Sequence, residues 1–367
     1  MMNVQTKNAL QTYTDPGLCR ELARRIQDRV RGRLRFMEVC GTHTVSIYTS
    51  GLRSLLPPEV EHVSGPGCPV CVTHAREVAA GLKLAEDPQV IVATFGDMMR
   101  VPDSRGRSLQ GAKALGADVR VCYSPTQAVD LALANPEREI VFLGVGFETT
   151  APGVAATLKQ ARALGVDNLS LLSCHKRVPP ALRALLDNND VEVDAFLLPG
   201  HVSTVIGLKP YRFLSAEFGI PAVVAGFEPV DILMALDNLA LQQASNLAEV
   251  VNAYPRAVKD DGNPTALAVM DEVFVQHTVK WRGLGEMENS GLLLSPEFAS
   301  FDAWEKFGLS GIEDREPPGC RCGEVLKGIL QPKQCPLFGE KCTPSQPVGP
   351  CMVSTEGSCA AVYRYGV

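Results

Sequence analysis

Residues 140–145 read IVFLGV, residues 153–165 read GVAATLKQARALG, and residues 169–173 read LSLLS. The two outer runs are short and apolar, as buried strands are. The middle run has apolar residues at the i, i+3, i+4 and i+7 spacing of a helix. A strand, a helix and a second strand in this order form the unit from which helix-covered parallel sheets are built. This stretch therefore predicts an α/β fold.

The same alternation of strand-like and helix-like segments extends along most of the chain. Further apolar runs of strand length occupy residues 34–39, 60–64, 90–95, 119–123, 195–198 and 222–225. We expect two parallel-sheet α/β domains of four strands each, over residues 1–127 and 128–310, because each quartet supplies enough strands for its own core. A single eight-stranded sheet is the alternative. Residues 228–310 are expected to be mostly helical and to extend the second domain.

The composition argues against several classes of protein. Apolar residues make up 46% of the 367 residues, as in globular proteins and unlike disordered ones. The net charge is −6 without a long basic block, so no nucleic-acid partner is expected. Because we see neither a signal peptide nor an apolar run of membrane-spanning length, we expect a soluble, cytoplasmic protein without a membrane partner. Twelve cysteines in that reducing compartment indicate metal ligation or redox chemistry.

Half of the cysteines crowd into residues 311–367, a segment rich in proline and glycine that cannot bury much of a core alone. They are Cys320, Cys322, Cys335, Cys342, Cys351 and Cys359. The simplest division is four thiolates on an iron–sulfur cluster and two in a thiol/disulfide pair. Zinc sites with shared or additional ligands are the alternative. Cys320 and Cys322 are too close in sequence to sit easily on one cluster, so we expect one of them to be free.

Other unusual residues follow directly after predicted strands. Cys40 and His43 come after the first strand, and the pair Cys68 and Cys71 comes after the second. Open α/β sheets bind ligands beyond the carboxyl ends of their strands, so we expect these residues to converge. A C-x-x-C pair is half of a zinc site, a thioredoxin-like dithiol or a ligand pair for iron. Buried, inert cysteines are the remaining interpretation.

Glu148 and His201 also follow predicted strands directly. A carboxylate in such a position can orient a histidine or relay protons, and a histidine can bind a metal or act as an acid or base. The structural alternatives are a carboxylate that stabilises a helix N-terminus and a histidine that only satisfies a local hydrogen bond.

The longer motifs resemble those of a known family. They are CGTHT at 40–44, GPGCPVC at 65–71, GFETT at 146–150, PGHVS at 199–203 and the six-cysteine tail. Together they resemble the HypD family of [NiFe]-hydrogenase maturation proteins across essentially the whole chain. The resemblance implies two α/β domains followed by a small domain, residues 311–367, with a [4Fe-4S] cluster. That tail is similar to ferredoxin:thioredoxin reductase.

The resemblance also implies a function and roles for residues. It implies assembly of the Fe(CN)2CO unit on Fe(II), together with a HypC-type chaperone and a HypE-type cyanide donor, and indirectly for a hydrogenase large-subunit precursor. It suggests Cys320, Cys335, Cys342 and Cys359 as cluster ligands, Cys322 and Cys351 as the dithiol, and Cys40, Cys68 and Cys71 as iron-binding and cyanation residues, with His43 nearby. Glu148 and His201 would then tune the cleft around the iron. The rival functions are a ferredoxin-dependent thiol–disulfide reductase and a zinc-stapled scaffold.

Overall fold

The computed structural model describes residues 12–187 and 191–366. Its strands in these ranges are β1 (Leu34–Glu38), β2 (Val60–Ser64), β3 (Val90–Thr94), β4 (Val119–Val121), β5 (Glu139–Gly144), β6 (Leu169–Ser173), β7 (Ala195–Pro199), β8 (Ala222–Ala225), β9 (Val250–Asn252), β10 (Phe274–Trp281) and β11 (Gly285–Leu294). All eight predicted strands are confirmed, and their ends differ from the prediction by no more than two residues.

The helices alternate with these strands. They are α1 (Pro16–Arg29), α2 (Gly41–Thr49), α3 (Leu52–Leu55), α4 (Pro69–Val72), α5 (Ala75–Ala85), α6 (Leu109–Ala114), α7 (Thr126–Ala134), α8 (Ala151–Ala163), α9 (Val178–Asp187), α10 (Gly200–Ile206), α11 (Phe213–Ala216), α12 (Pro229–Ala244), α13 (Pro264–Val273), α14 (Ala303–Lys306), α15 (Cys322–Leu326), α16 (Pro350–Val353) and α17 (Ser358–Tyr365). Short 3-10 helices cover Gly96–Arg100, Lys209–Tyr211, Pro296–Phe301, Leu309–Gly311 and Pro332–Gln334. No helix in the described ranges combines the length and the apolar composition that crossing a bilayer requires.

Strands β1 to β9 form two parallel sheets, which confirms the predicted α/β class. Sheet A has the order β2-β1-β7-β8-β9, and sheet B has the order β4-β3-β5-β6. In sheet A, Phe36 of β1 pairs with His62 of β2 on one side and with Ala195 of β7 on the other. Strands β3 and β6 are buried along their whole length, as apolar strands covered on both faces must be.

The strands are not grouped as two successive quartets, so that part of the prediction is wrong. The chain leaves sheet A after β2, builds all of sheet B, and returns to sheet A with β7. A boundary at residue 127 therefore does not separate the sheets. Parallel neighbours are joined by crossovers, so the order of strands along the chain leaves open which of them pair. The residue limits of the domains, 1–127, 128–310 and 311–367, stay a prediction.

Residues 228–310 also differ from the expected helical extension. Helices α12 and α13 are present, but β9 joins sheet A, and β10 and β11 form an antiparallel hairpin. Most β10 side chains between Phe274 and Trp281 are exposed, so the strand lacks the apolar alternation by which sequence reasoning finds strands. The hairpin turns at Gly283, where an added Cβ would overlap Gly323 of the cysteine-rich tail. The hairpin tip therefore touches the tail.

The core has two large parts. One lies between sheet A and helices α1 and α12, and includes Ile26, Phe36 and Leu236. The other surrounds sheet B and continues without a break into the tail, where it includes Cys322 and Cys351. The tail thus buries its apolar side chains against the α/β body, which compensates for a composition too poor for a core of its own.

Candidate metal and thiol site

The Cys40 loop (residues 39–41) joins β1 to α2 and packs directly on the CxxC segment (residues 65–72), which follows β2. The Gly41 N–H donates a hydrogen bond to the Gly67 carbonyl at 2.9 Å. A Cβ on Gly67 would lie 2.5 Å from the Cα of Cys40 and closer still to its nitrogen. Glycine is therefore required for this approach. The two loops meet beyond the carboxyl ends of adjacent strands, where the sequence predicts that they converge.

Cys40 is buried, and its surroundings favour the neutral thiol. Burial and then the charge of Glu356 raise the pKa of Cys40 to about 12. Its backbone N–H donates to the buried carboxylate of Glu38 at 3.2 Å, which fixes the loop. Because the proton is held tightly, the thiolate forms readily only when a cation takes the place of that proton. A metal ion bound here would release a proton from Cys40.

Cys68 and Cys71 lie at the start and within the single turn of α4, with Cα atoms 5.2 Å apart, and they are joined in a disulfide. Both are buried. The family resemblance suggests that this pair binds iron as two thiolates, and a disulfide has no thiolate to offer a metal. Iron ligation by this pair therefore requires its reduction to the dithiol. The C-x-x-C spacing permits both states, as in thioredoxin-like motifs.

His43 and His201 both pack against the ring of Phe227. The ring centroids are 4.8 Å apart for His43 and Phe227, and 3.9 Å apart for His201 and Phe227. The Nε2 of His43 is 2.8 Å from the carbonyl oxygen of Gly226. A carbonyl only accepts, so Nε2 carries the hydrogen, and the buried Nδ1 is left as an acceptor without a partner. Burial lowers the pKa of His43 to about 4, so the ring is neutral at neutral pH.

Glu148 is buried in the loop that follows β5, in the GFETT motif. Its carboxyl group accepts a hydrogen bond from the Val178 N–H at 3.1 Å, and burial raises its pKa to about 7. Glu148 also borders an open cavity of about 460 Å³ that is lined by Arg177 and Lys209. Tyr211, which sequence reasoning missed, is fully buried within electrostatic reach of both Glu148 and Cys40. The sequence around it, KPYRF at residues 209–213, contains no pattern that would mark Tyr211 as a buried or functional residue.

The six tail cysteines line a single small cavity, whose wall is completed by Leu337, Phe338 and Met352 among other residues. Across the described ranges, no three His, Cys, Asp or Glu side chains are grouped as ligands of a metal ion. A four-iron cluster would not require such a group, because its four thiolate ligands are distributed around a cubane and do not bind one ion. The lining of this cavity, sulfur surrounded by apolar side chains, has the donor chemistry that such a group requires.

Within this cavity, Cys322 lies between two other cysteines. Its thiol is within hydrogen-bonding reach of the thiols of Cys320 and Cys351. Cys322 therefore adjoins both Cys351, with which the family resemblance pairs it, and Cys320, which the resemblance suggests as a cluster ligand; the assignment of the pair stays a prediction. Cys342 has a separate environment, since its sulfur accepts the Val348 N–H at 3.3 Å.

The tail also reaches the Cys40 loop. Helix α16, which carries Cys351, contacts the CxxC helix α4, and α17 packs on α2. The Thr42 hydroxyl donates to Glu356 of the tail at 2.8 Å, and the Ser354 hydroxyl donates to Asp97 at 2.9 Å. Sequence reasoning missed Glu356, whose only signal was its proximity to Cys359 in the chain. The Cys40 loop, the CxxC segment and the tail thus form one continuous cluster of sulfur-bearing elements.

The family model and the similar proteins found by comparison all point to one family. A sequence model named HypD and described as the hydrogenase formation hypA family matches residues 17–366. The hydrogenase maturation factor HypD of Escherichia coli K12 is 48% identical over 94% of this chain and 93% of its own length. The corresponding factor of Cupriavidus necator is 46% identical over 94% and 95%. That of Rhodobacter capsulatus is 45% identical over 96% and 97%. The similarity therefore covers both sheets and the cysteine-rich tail.

Proposed function

The chain belongs to the HypD family of hydrogenase maturation factors, and from this premise we propose that it assembles the Fe(CN)2CO unit of a [NiFe]-hydrogenase. The iron is the cargo. The observation that carries the proposal is the contact of the Cys40 loop with the CxxC segment, and of both with the cysteine-rich tail. Membership alone supports only a role in hydrogenase maturation alongside other maturation factors.

In this proposal Cys40, Cys68 and Cys71 hold Fe(II) once the disulfide is reduced. Thiolates suit iron, and three protein ligands leave coordination positions for cyanide and carbon monoxide. The high pKa of Cys40 supports a site that is a thiol when empty and a thiolate when iron is bound. His43 and His201 would shape the cleft through the Phe227 ring that both of them contact, and Glu148 would act from farther away.

Transfer of cyanide from a protein thiocyanate to iron needs two electrons. The S–C bond breaks, cyanide leaves to the iron, and the donor sulfur ends as a thiol. Reduced Cys322 and Cys351 supply both electrons as they close to a disulfide; one of their protons ends on the donor thiol and the other leaves. Cys320, Cys335, Cys342 and Cys359 would hold a [4Fe-4S] cluster, which would supply single electrons, drawn from an external donor such as a ferredoxin, for the return of the disulfide to the dithiol. The contact between α16 and α4 supports a route from this pair to the CxxC pair.

The proposed partners are a HypC-type chaperone that shares the iron, a HypE-type protein that carries the thiocyanate and, indirectly, the precursor of a hydrogenase large subunit. The proposed compartment is the cytoplasm, because a site built from thiols needs a reducing environment.

The test replaces Cys40 by alanine and records infrared bands of bound cyanide and carbon monoxide on the anaerobically purified complex with the HypC-type partner. We expect the bands to disappear. The matched control is Cys19→Ala, since Cys19 is a buried cysteine on the inner face of α1, in the other core. Undiminished bands in Cys40→Ala would remove Cys40 from the site and with it the proposed iron centre.

A second function, thiol–disulfide reductase, is favoured by the Cys68–Cys71 disulfide and by its contact with the helix that carries Cys351. It predicts turnover of a disulfide on a protein substrate, with electrons from a ferredoxin, and no diatomic ligands. The infrared spectrum of the complex separates the two functions. Bands of cyanide and carbon monoxide exclude a plain reductase.

A further inference from the structure

Two of the six cysteines that line the tail cavity reach the protein surface. Cys320 and Cys335 are partly exposed, whereas the other four tail cysteines are buried. Cys335 directly follows the 3-10 helix Pro332–Gln334, and its carbonyl accepts a hydrogen bond from the Phe338 N–H at 2.9 Å. The Phe338 side chain itself lines the cavity. A protein that delivers electrons to the tail must approach the cavity closely, and the surface beside Cys335 permits such an approach.

The elements that meet at Cys335 carry four exposed side chains, which we term the tail patch. They are Lys333, Lys341, Tyr363 and Arg364. Lys333 lies in the 3-10 helix before Cys335, and helix α17, which carries Tyr363 and Arg364, packs on that same short helix. The Tyr363 ring centroid is 6.0 Å from that of Phe338. Lys341 directly precedes Cys342, which forms a β-bridge with Phe338. The four side chains therefore belong to one region of the tail surface.

The tail is positively charged in a protein whose net charge is −6. Residues 321–366 contain five Lys and Arg residues against three Glu and no Asp. Two of these acids are already engaged, because Glu324 pairs with Arg321, and Glu356 is half-buried and accepts a hydrogen bond from Thr42. The three cations of the tail patch form no ion pair within residues 12–187 and 191–366. Their charge is therefore free to act on a partner.

A patch of this kind favours a protein partner with a negatively charged surface. At 0.1 M ionic strength charges are screened beyond about 10 Å, so a docking protein responds to the local charge of the patch rather than to the charge of the whole chain. Complementary charge speeds association and orients the partner, and an exposed tyrosine adds contact area of the kind that interfaces use. Interfaces of electron carriers are small, below about 1,200 Å². A nucleic acid fits less well, because its affinity comes from many phosphate contacts and the patch has only three free cations.

We propose that the tail patch is the docking surface for a small acidic protein that carries one electron at a time. This inference rests on the proposed function, in which an external donor supplies single electrons to the tail. Return of one disulfide to a dithiol takes two electrons and two protons, so such a donor docks twice in each cycle, and the protons come from water. A small interface steered by charge suits this repeated association and release.

The test measures the binding of an acidic [2Fe-2S] ferredoxin to the full-length, anaerobically purified protein by surface plasmon resonance at low ionic strength. Lys333→Glu should raise the dissociation constant about threefold, and the double variant with Lys341→Glu should raise it about tenfold. Lys333→Arg keeps the charge and should bind as the wild type does. The matched control is Lys259→Glu, which changes the net charge as Lys333→Glu does but at an exposed lysine in the loop between β9 and α13. Its dissociation constant should be unchanged.

Two further measurements use the wild-type protein and so do not depend on the folding of a variant. Ferredoxin whose carboxylates have been amidated should bind weakly, and a short DNA duplex should not displace the unmodified ferredoxin. Delivery of electrons is followed separately, by alkylation and mass spectrometry of the tail cysteines. Reduced ferredoxin should reduce the tail disulfide about tenfold more slowly in the double variant. The methyl viologen radical, a small donor that needs no docking surface, should act at an unchanged rate.

An unchanged dissociation constant in the folded double variant would overturn the docking surface, as would tight binding of amidated ferredoxin or displacement of ferredoxin by DNA. Absence of any binding to the wild-type protein would do the same. These outcomes leave the proposed function untouched, because the donor could dock elsewhere. The binding measurement needs neither cyanide nor the HypC-type partner, so it is independent of the infrared test. Failure of the infrared test would in turn leave the docking surface standing, because a thiol–disulfide reductase also needs an electron donor.

Discussion

Replacing Gly67 by alanine tests whether the contact between the Cys40 loop and the CxxC segment creates the site. The added methyl carbon would lie 2.5 Å from the Cα of Cys40, about 1 Å inside ordinary carbon–carbon contact. The obstacle is backbone, which cannot rotate out of the way as a side chain can. We expect the two loops to move apart and the free energy of unfolding to fall by about 2–3 kcal/mol.

The matched control is Gly153→Ala. Gly153 lies in helix α8, and nothing lies within 4 Å of its added Cβ. Alanine is the better helix former, so this variant should gain about 0.5–1 kcal/mol. Urea unfolding followed by circular dichroism measures both changes. Infrared spectra of the complex with the HypC-type partner then show whether the loss in Gly67→Ala extends to the iron ligands.

We expect Gly67→Ala to lose most of the cyanide and carbon monoxide bands while retaining its secondary structure, because only the separation of the loops changes. Wild-type stability together with undiminished bands would refute the reasoning. It would mean that the two loops can separate without cost, and that their contact is not what holds the thiols together.

Burial raises the pKa of Glu148 from 4.5 to about 7, so the protonated carboxyl stabilises the fold at low pH, and this contribution of about 3 kcal/mol is lost as the pH rises through 7. The free energy of unfolding, measured with urea, should therefore be lower at about pH 8 than at about pH 5, and Glu148→Gln should abolish this contribution to the difference. The pKa of His43 is lowered to about 4, so its nitrogen-15 NMR signals should stay those of the neutral Nε2–H form; titration near pH 6.5 would contradict this. Thr42→Val, which removes the hydrogen bond to Glu356, should cost about 1 kcal/mol and speed proteolysis of the tail. Thr49→Val is the control, because the Thr49 hydroxyl donates only to carbonyls of its own helix. This variant should not speed proteolysis of the tail.

The strands and the loops after them could be predicted because their signal is local. An apolar run such as residues 140–145 marks a buried strand wherever it pairs, and in a parallel sheet every strand of one direction ends at the same edge. This is why Cys40 and Cys68 could be expected to meet. The grouping of strands into sheets depends on pairings between distant segments, and β1 finds its neighbour β7 only in the folded chain.

The functional candidates that sequence reasoning missed were missed for one physical reason. Tyr211 is fully buried and Glu356 is half-buried, and the burial of a polar side chain is a property of its neighbours in space. Nothing in the local sequence marks either residue as buried. The redox state of Cys68 and Cys71 was concealed for another reason, because the same spacing serves a dithiol, a disulfide and a metal-ligand pair.

The interleaved order of the strands has a consequence for synthesis on the ribosome. Sheet B closes with β6, while β1 and β2 still lack β7, the strand that continues their sheet. The nascent chain therefore has a folded neighbour for Cys68 and Cys71 well before it has a closed pocket around Cys40, and the tail that completes the cluster emerges last. We expect translation arrested before residue 195 to leave Cys40 open to alkylation, and release of the full chain to protect it. In the proposed function, the complete set of thiols around Cys40 would therefore exist only in the finished chain.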